Sequence, residues 1–76
     1  MTLRTYRLSV ESAEGALERV LGVVRRRGLG LQRLSVDQAA DGRWDIAITA
    51  AASEGEAGLA LRQFSALLDV RAVRSE

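Results

Sequence analysis

Histidine and cysteine are both absent from the 76 residues, which removes the commonest general base and the commonest thiol nucleophile. Ser9, Ser12, Ser35, Ser53 and Ser65 therefore have no imidazole to activate them. The carboxylates are dispersed, and each has a structural place. Glu14 and Glu18 suit the polar face of a first helix, Asp37, Asp41 and Asp45 surround a hairpin, and Glu54 and Glu56 fall in a first helical turn. A metal or acid–base site could draw only on these scattered groups. No catalytic residue and no metal ligand is expected, and the chain is read as non-enzymatic.

Two patterns are better suited to binding than to reaction. Arg25, Arg26 and Arg27 form a run of cations. It reads either as a solvated helix end, where positive charge suits the negative end of the helix dipole, or as a docking patch for a partner. Ser12-Ala13-Glu14-Gly15 opens the same helix from its other end. Free backbone N–H groups at a helix start can hold a carboxylate, and an ordinary N-cap by Ser12 with a turn at Gly15 needs no ligand at all. Gly28 and Gly30 read as turn residues, since they form no glycine-rich phosphate-binding pattern after a strand.

Composition narrows the partners. Eleven basic and ten acidic residues leave a net charge of +1, which gives no global field to attract nucleic acid or an anionic membrane. Every basic residue is arginine. No run approaches the roughly 20 apolar residues of a membrane span, and the amino-terminal residues show no apolar segment leading to a cleavage site. A soluble cytoplasmic protein is the expectation. A single domain over residues 1–76 is also expected, and so small a core gains from association with another copy.

The elements that must position these residues follow from periodicity. Tyr6, Leu8 and Val10 alternate with Arg7 and Ser9 as a strand with one buried face. Leu17, Val20, Leu21 and Val24 fall at helical spacing within about Glu14 to Arg27, and Gly28 ends that helix. Leu34 and Val36 face one way on a second strand, opposite to Arg33, Ser35 and Asp37. Asp41-Gly42 signals a hairpin into a third strand with Trp44, Ile46, Ile48, Ala50 and Ala52 on one face. Ser53-Glu54-Gly55-Glu56 is a capping-box pattern for a second helix, with Ala57, Ala60, Leu61, Phe64, Leu67 and Leu68 as its apolar stripe. Val70 and Val73 mark a last strand. The order is βαββαβ, an α+β domain with two helices on one face of a four-stranded antiparallel sheet.

The other sheet face carries the small residues Ala47, Thr49 and Ala51 and is a candidate contact surface. RNA-recognition domains share this topology but stack bases on strand aromatics. Here Tyr6 and Trp44 face the helices by parity and Phe64 lies in the second helix, so no stacking platform forms.

Gly15-Ala16-Leu17-Glu18-Arg19-Val20, Arg27-Gly28-Leu29-Gly30-Leu31 and Leu34-Ser35-Val36 are similar to the signature of ACT domains, regulatory modules with the ferredoxin-like fold. Leu17 through Gly28, the overall length and Leu68-Asp69-Val70 resemble in particular the short small subunit of acetolactate synthase, isozyme II type. The family's longer small subunits carry a second carboxy-terminal domain that nothing in this sequence supplies.

The resemblance implies a non-catalytic subunit that activates a large subunit in branched-chain amino-acid synthesis. That large subunit would carry thiamine diphosphate, a divalent metal and FAD. It also implies homodimers joined through their second strands. An effector, a small amino acid, would lie between Ser12, Ala13, Glu14, Gly15 and Ala16 of one copy and Gly30, Leu31 and Gln32 of the other. Ser12 stands where valine-responsive relatives typically have Asn, and it offers fewer hydrogen bonds than an amide. The expectation is therefore valine insensitivity. Arg19, Arg25, Arg26 and Arg27 are the expected docking residues for the enzyme. The alternative within the same family is a stand-alone homodimeric amino-acid sensor.

Overall fold

The computed structural model describes residues 2–76. The elements are β1 (Thr2–Val10), α1 (Ala16–Arg26), β2 (Gly30–Gln38), β3 (Trp44–Ala52), α2 (Glu54–Ala66) and β4 (Val70–Ser75). Their order in the chain is the predicted βαββαβ. The four strands form one sheet in the order β2-β3-β1-β4, and every neighbouring pair is antiparallel. This is the ferredoxin-like arrangement that the sequence predicts. The two central strands are β3 and β1, and they pair along their whole length from Thr2 opposite Ala52 to Val10 opposite Trp44.

The core lies between one sheet face and the helices. Tyr6, Leu8 and Val10 of β1 and Ile46, Ile48, Ala50 and Ala52 of β3 pack with Ala16, Val20, Val23 and Val24 of α1 and Ala57, Ala60 and Phe64 of α2. The alternation in β1 and β3 thus becomes a layer of side chains under two amphipathic helices. Tyr6 is fully buried, as its parity demanded. Its ring lies 5.4 Å from that of Phe64 in a tilted pair, and its hydroxyl donates a long 3.5 Å hydrogen bond to the Ala57 carbonyl.

Val70 and Val73 are three residues apart, which would put them on opposite faces of a regular strand. A bulge resolves this. The register of β4 against β1 shifts between Ser9 and Val10, so that Val73 opposes Leu8 and Val70 opposes Val10. Both valines then pack against the core.

Two boundaries and one pattern of burial differ from the sequence reading. The first helix begins at Ala16 instead of Glu14, because Gly15 adopts a left-handed conformation with φ 77°. Its N-cap position is Gly15, with no side-chain cap, so Ser12 does not cap the helix. Leu68 is 94% exposed, because α2 ends at Ala66 and the chain has already turned away. The third difference is β2. Leu34 and Val36 have the expected parity, opposite Ile48 and Ile46 of β3, yet they remain 37% and 39% exposed. Neither helix covers them.

Candidate functional site

The β1–α1 loop is a closed turn held from outside by the α2–β4 connection. The Glu11 amide donates to the Asp69 carbonyl at 2.8 Å, and the Ala13 and Ala16 amides donate to Glu11 and Ala13 within the loop. Gly15 then turns the chain into the helix. Arg19, one turn into α1, folds its guanidinium back over this loop. Its Nε donates to the Asp69 carboxylate at 2.8 Å, and its Nη2 donates both to that carboxylate and to the Glu14 carbonyl. A Cβ on Gly15 would stand 2.8 Å from Nη1 of Arg19. Arg19 therefore braces the loop, and Asp69, a residue that sequence reasoning assigned no role beyond marking the last strand, anchors it. The sequence signal was available only in retrospect, as an acidic residue in a turn next to an unpaired arginine helix face.

Of the residues expected to line an effector site, Ser12 and Glu14 are exposed, Ala13 and Gly15 half-buried, and Ala16 buried in the core. Gly30, Leu31 and Gln32 are exposed at the start of β2. The two groups lie at opposite ends of one protomer. Residues 12–16 follow Val10, which pairs with Trp44, whereas Gly30 pairs with Ala51 at the far end of β3. One copy cannot bring them together.

All nine residues of β2 are exposed. One side of the strand is hydrogen-bonded to β3, and its other side is a free sheet edge. Leu31, Leu34 and Val36 all remain accessible along it. The opposite edge is managed differently. β4 is six residues long, carries Arg71 and Arg74 and contains the bulge, features that blunt an edge. Arg71 pairs with Glu11 at 3.0 Å, and Arg74 and Arg7 both approach Glu76.

Arg25 and Arg26 stand exposed in the last turn of α1. Arg27 is half-buried at the cap and lies toward the start of α2. There the Ser53 hydroxyl and amide hold the Glu56 carboxyl below the usual carboxylate range, and Arg27 adds a smaller electrostatic effect in the same direction. None of the three arginines makes an ion pair among the described residues. Of the small residues of the open sheet face, Ala47 lines a depression of about 430 Å³ that includes Arg7, Ser9, Ser35, Asp37, Asp45 and Arg74. Among the described residues no three potential ligands gather as a metal site, and no helix is long and apolar enough to cross a membrane.

No curated protein matches the sequence. Solved structures match closely in fold. The ACT domain from the GTP pyrophosphokinase of Chlorobium tepidum aligns with a TM-score of 0.83 at 15% identity, over 97% of this chain and 96% of that one. The acetolactate synthase small subunit from Thermotoga maritima aligns with a TM-score of 0.87 at 17% identity, over 99% of this chain and 47% of that one. The chain therefore spans about half the length of that subunit. A homoserine dehydrogenase from Thiobacillus denitrificans aligns with a TM-score of 0.80 at 17% identity, over 97% of this chain and 16% of the enzyme. At these identities the likeness is one of fold. The sequence itself is more specific: residues 12–73 match the ACT domain family, a span that runs from the loop braced by Arg19 to the valine set inward by the β4 bulge. With most of its length inside that match, the chain belongs to the ACT domain family, whose members are regulatory and non-catalytic.

Proposed function

We propose that this ACT domain is the regulatory, activating small subunit of acetolactate synthase, that it works as a homodimer joined through β2, and that it is insensitive to valine. The reading rests on one observation above others. The run Leu17 to Gly28, which resembles such subunits, forms α1 and its end, and the segments that resemble ACT domains in general, Gly15 to Val20, Arg27 to Leu31 and Leu34 to Val36, coincide with the left-handed turn, α1 and the free edge strand. Placing residues 12–16 and 30–32 at opposite ends of a protomer also suits an antiparallel dimer, which sets the loop of one copy beside the strand start of the other. Ser12 is exposed and caps nothing, which supports the absence of a strong valine site.

In this role the chain adds no catalytic group. Docking stabilises the active arrangement of a cytoplasmic large subunit, which carries thiamine diphosphate, a divalent metal and FAD, and the unpaired Arg25, Arg26 and Arg27 are the surface offered to it. The coupling is a difference in the small subunit's affinity for two states of the enzyme.

The test is acetolactate synthase activity of the host's purified large subunit, titrated with this protein with and without valine. A saturable rise that valine leaves unchanged supports the reading. No rise and no complex overturns it, and calorimetric titration of the isolated chain with small amino acids then tests the homodimeric sensor.

A further inference from the structure

Within the pairing proposed above, we infer that two copies of β2 join in a single register centred on Ser35, fixed by reciprocal ion pairs between Arg33 of one copy and Asp37 of the other. The inference rests on that reading for the choice of edge, and on the residues of β2 for the register.

The hydrogen-bonding phase of β2 comes first. The Ala39 amide donates to the Arg43 carbonyl of the hairpin at 2.7 Å. With a period of two, Asp37 and Ser35 also point their main-chain groups toward β3, and Val36 and Leu34 point theirs outward. The outward groups are those a second strand must meet. With a two-fold axis at Ser35, Leu34 of one copy and Val36 of the other form a hydrogen-bonded pair that uses those groups. Arg33 and Asp37 then form the closer, non-hydrogen-bonded kind of pair, which best brings side chains together.

Chemistry selects the same register. Arg33 and Asp37 lie on the open sheet face, and neither makes an ion pair within its own chain among the described residues. Asp37 is worse placed than that, because it stands directly opposite Asp45 on the same face of the sheet. Directly opposed like charges destabilise a strand pair. Arg33 of a second copy supplies the missing cation beside Asp37, and symmetry supplies it twice. On the other face Leu34 and Val36, exposed in one copy, cover each other. Shifting the axis to Val36 sets Leu34 against Gln38 and Arg33 against Ala39. Shifting it to Leu34 sets Arg33 against Ser35 and leaves Asp37 facing Leu31. Opposed residues must share a face, so intermediate positions are closed. Read against itself in reverse, the run Arg33-Leu34-Ser35-Val36-Asp37 meets its own complement at every place, which favours a second copy over an unrelated strand.

The test uses the full chain in sedimentation equilibrium. Arg33→Asp and Asp37→Arg, both at exposed positions, each weaken the dimer about tenfold or more, and the double exchange R33D/D37R restores it. Ser35→Cys places a unique thiol at the axis, in a chain with no other cysteine, and links the dimer on mild oxidation. A wild-type dimer with no rescue by the double exchange and no cross-link at position 35 overturns the register while leaving pairing through β2 intact. A chain that stays monomeric at every concentration overturns both.

Discussion

Gly15 holds a conformation that other residues adopt at a cost, and the guanidinium of Arg19 lies across it. Gly15→Ala is therefore expected to lower stability by about 1–2 kcal/mol, seen as a lower urea midpoint with an unchanged slope. Asp69→Asn leaves the side-chain shape but removes the charge that holds Arg19, and it belongs to the same measurement as a milder change. The start of α2 titrates. The Ser53 hydroxyl accepts from the Glu56 amide and donates to the Glu56 carboxylate, and this bond is the main reason the carboxyl ionises more readily than usual. Its folded-state value lies below the unfolded one, so its contribution is complete above the unfolded value and is lost as pH falls through the folded value. Ser53→Ala should cost about 1 kcal/mol at neutral pH. The difference between variant and parent should shrink on acidification, which denaturation series at several pH values can check. A constant difference would place the role of Ser53 elsewhere.

At the scale of elements, two apolar residues that face each other across β2 and β3 should behave unlike each other. Ile48 is fully buried beneath the helices, whereas Leu34 opposite it is 37% exposed. Ile48→Ala should cost about 2–5 kcal/mol of folding stability. Leu34→Ala should barely move the urea midpoint of dilute protein and should instead weaken self-association, and parallel denaturation and sedimentation experiments separate the two. This pair also marks what periodicity can tell. The alternation from Trp44 to Ala52, the parity of Tyr6 and the capping box at Ser53 were all legible, because each depends on neighbours in the chain. The parity of Leu34 and Val36 was legible too, but not their exposure, since a two-residue period says that a face is apolar without saying whose atoms cover it. The turn at Gly15 was legible, but not that its left-handed backbone delays the start of α1 to Ala16. The Val70 and Val73 spacing needed the bulge to make sense.

For the whole molecule, the open question is where regulation leaves the domain. Arg25 and Arg26 share the exposed last turn of α1 and have no ion-pair partner among the described residues, so R25E/R26E should fold and self-associate like the parent but fail to activate the proposed large subunit. Loss of the dimer in that variant would count against a docking role. The resemblance pointed to residues 12–16 as one half of an expected effector site, but only the fold reveals that they sit at the opposite end of a protomer from Gly30. The brace from Asp69 to Arg19 spans 50 positions and no local pattern announces it. The exposed edge has a further consequence for how the molecule breathes. Without a second copy, β2 contributes little to the cooperative core, so it forms the weakest opening unit of the domain. Its outward amides at Leu34 and Val36 should then exchange with deuterated water fast in dilute protein and slowly in concentrated protein, while those of Ile46 and Ile48 keep one rate. Assembly would in that case be the step that completes the folding of this strand.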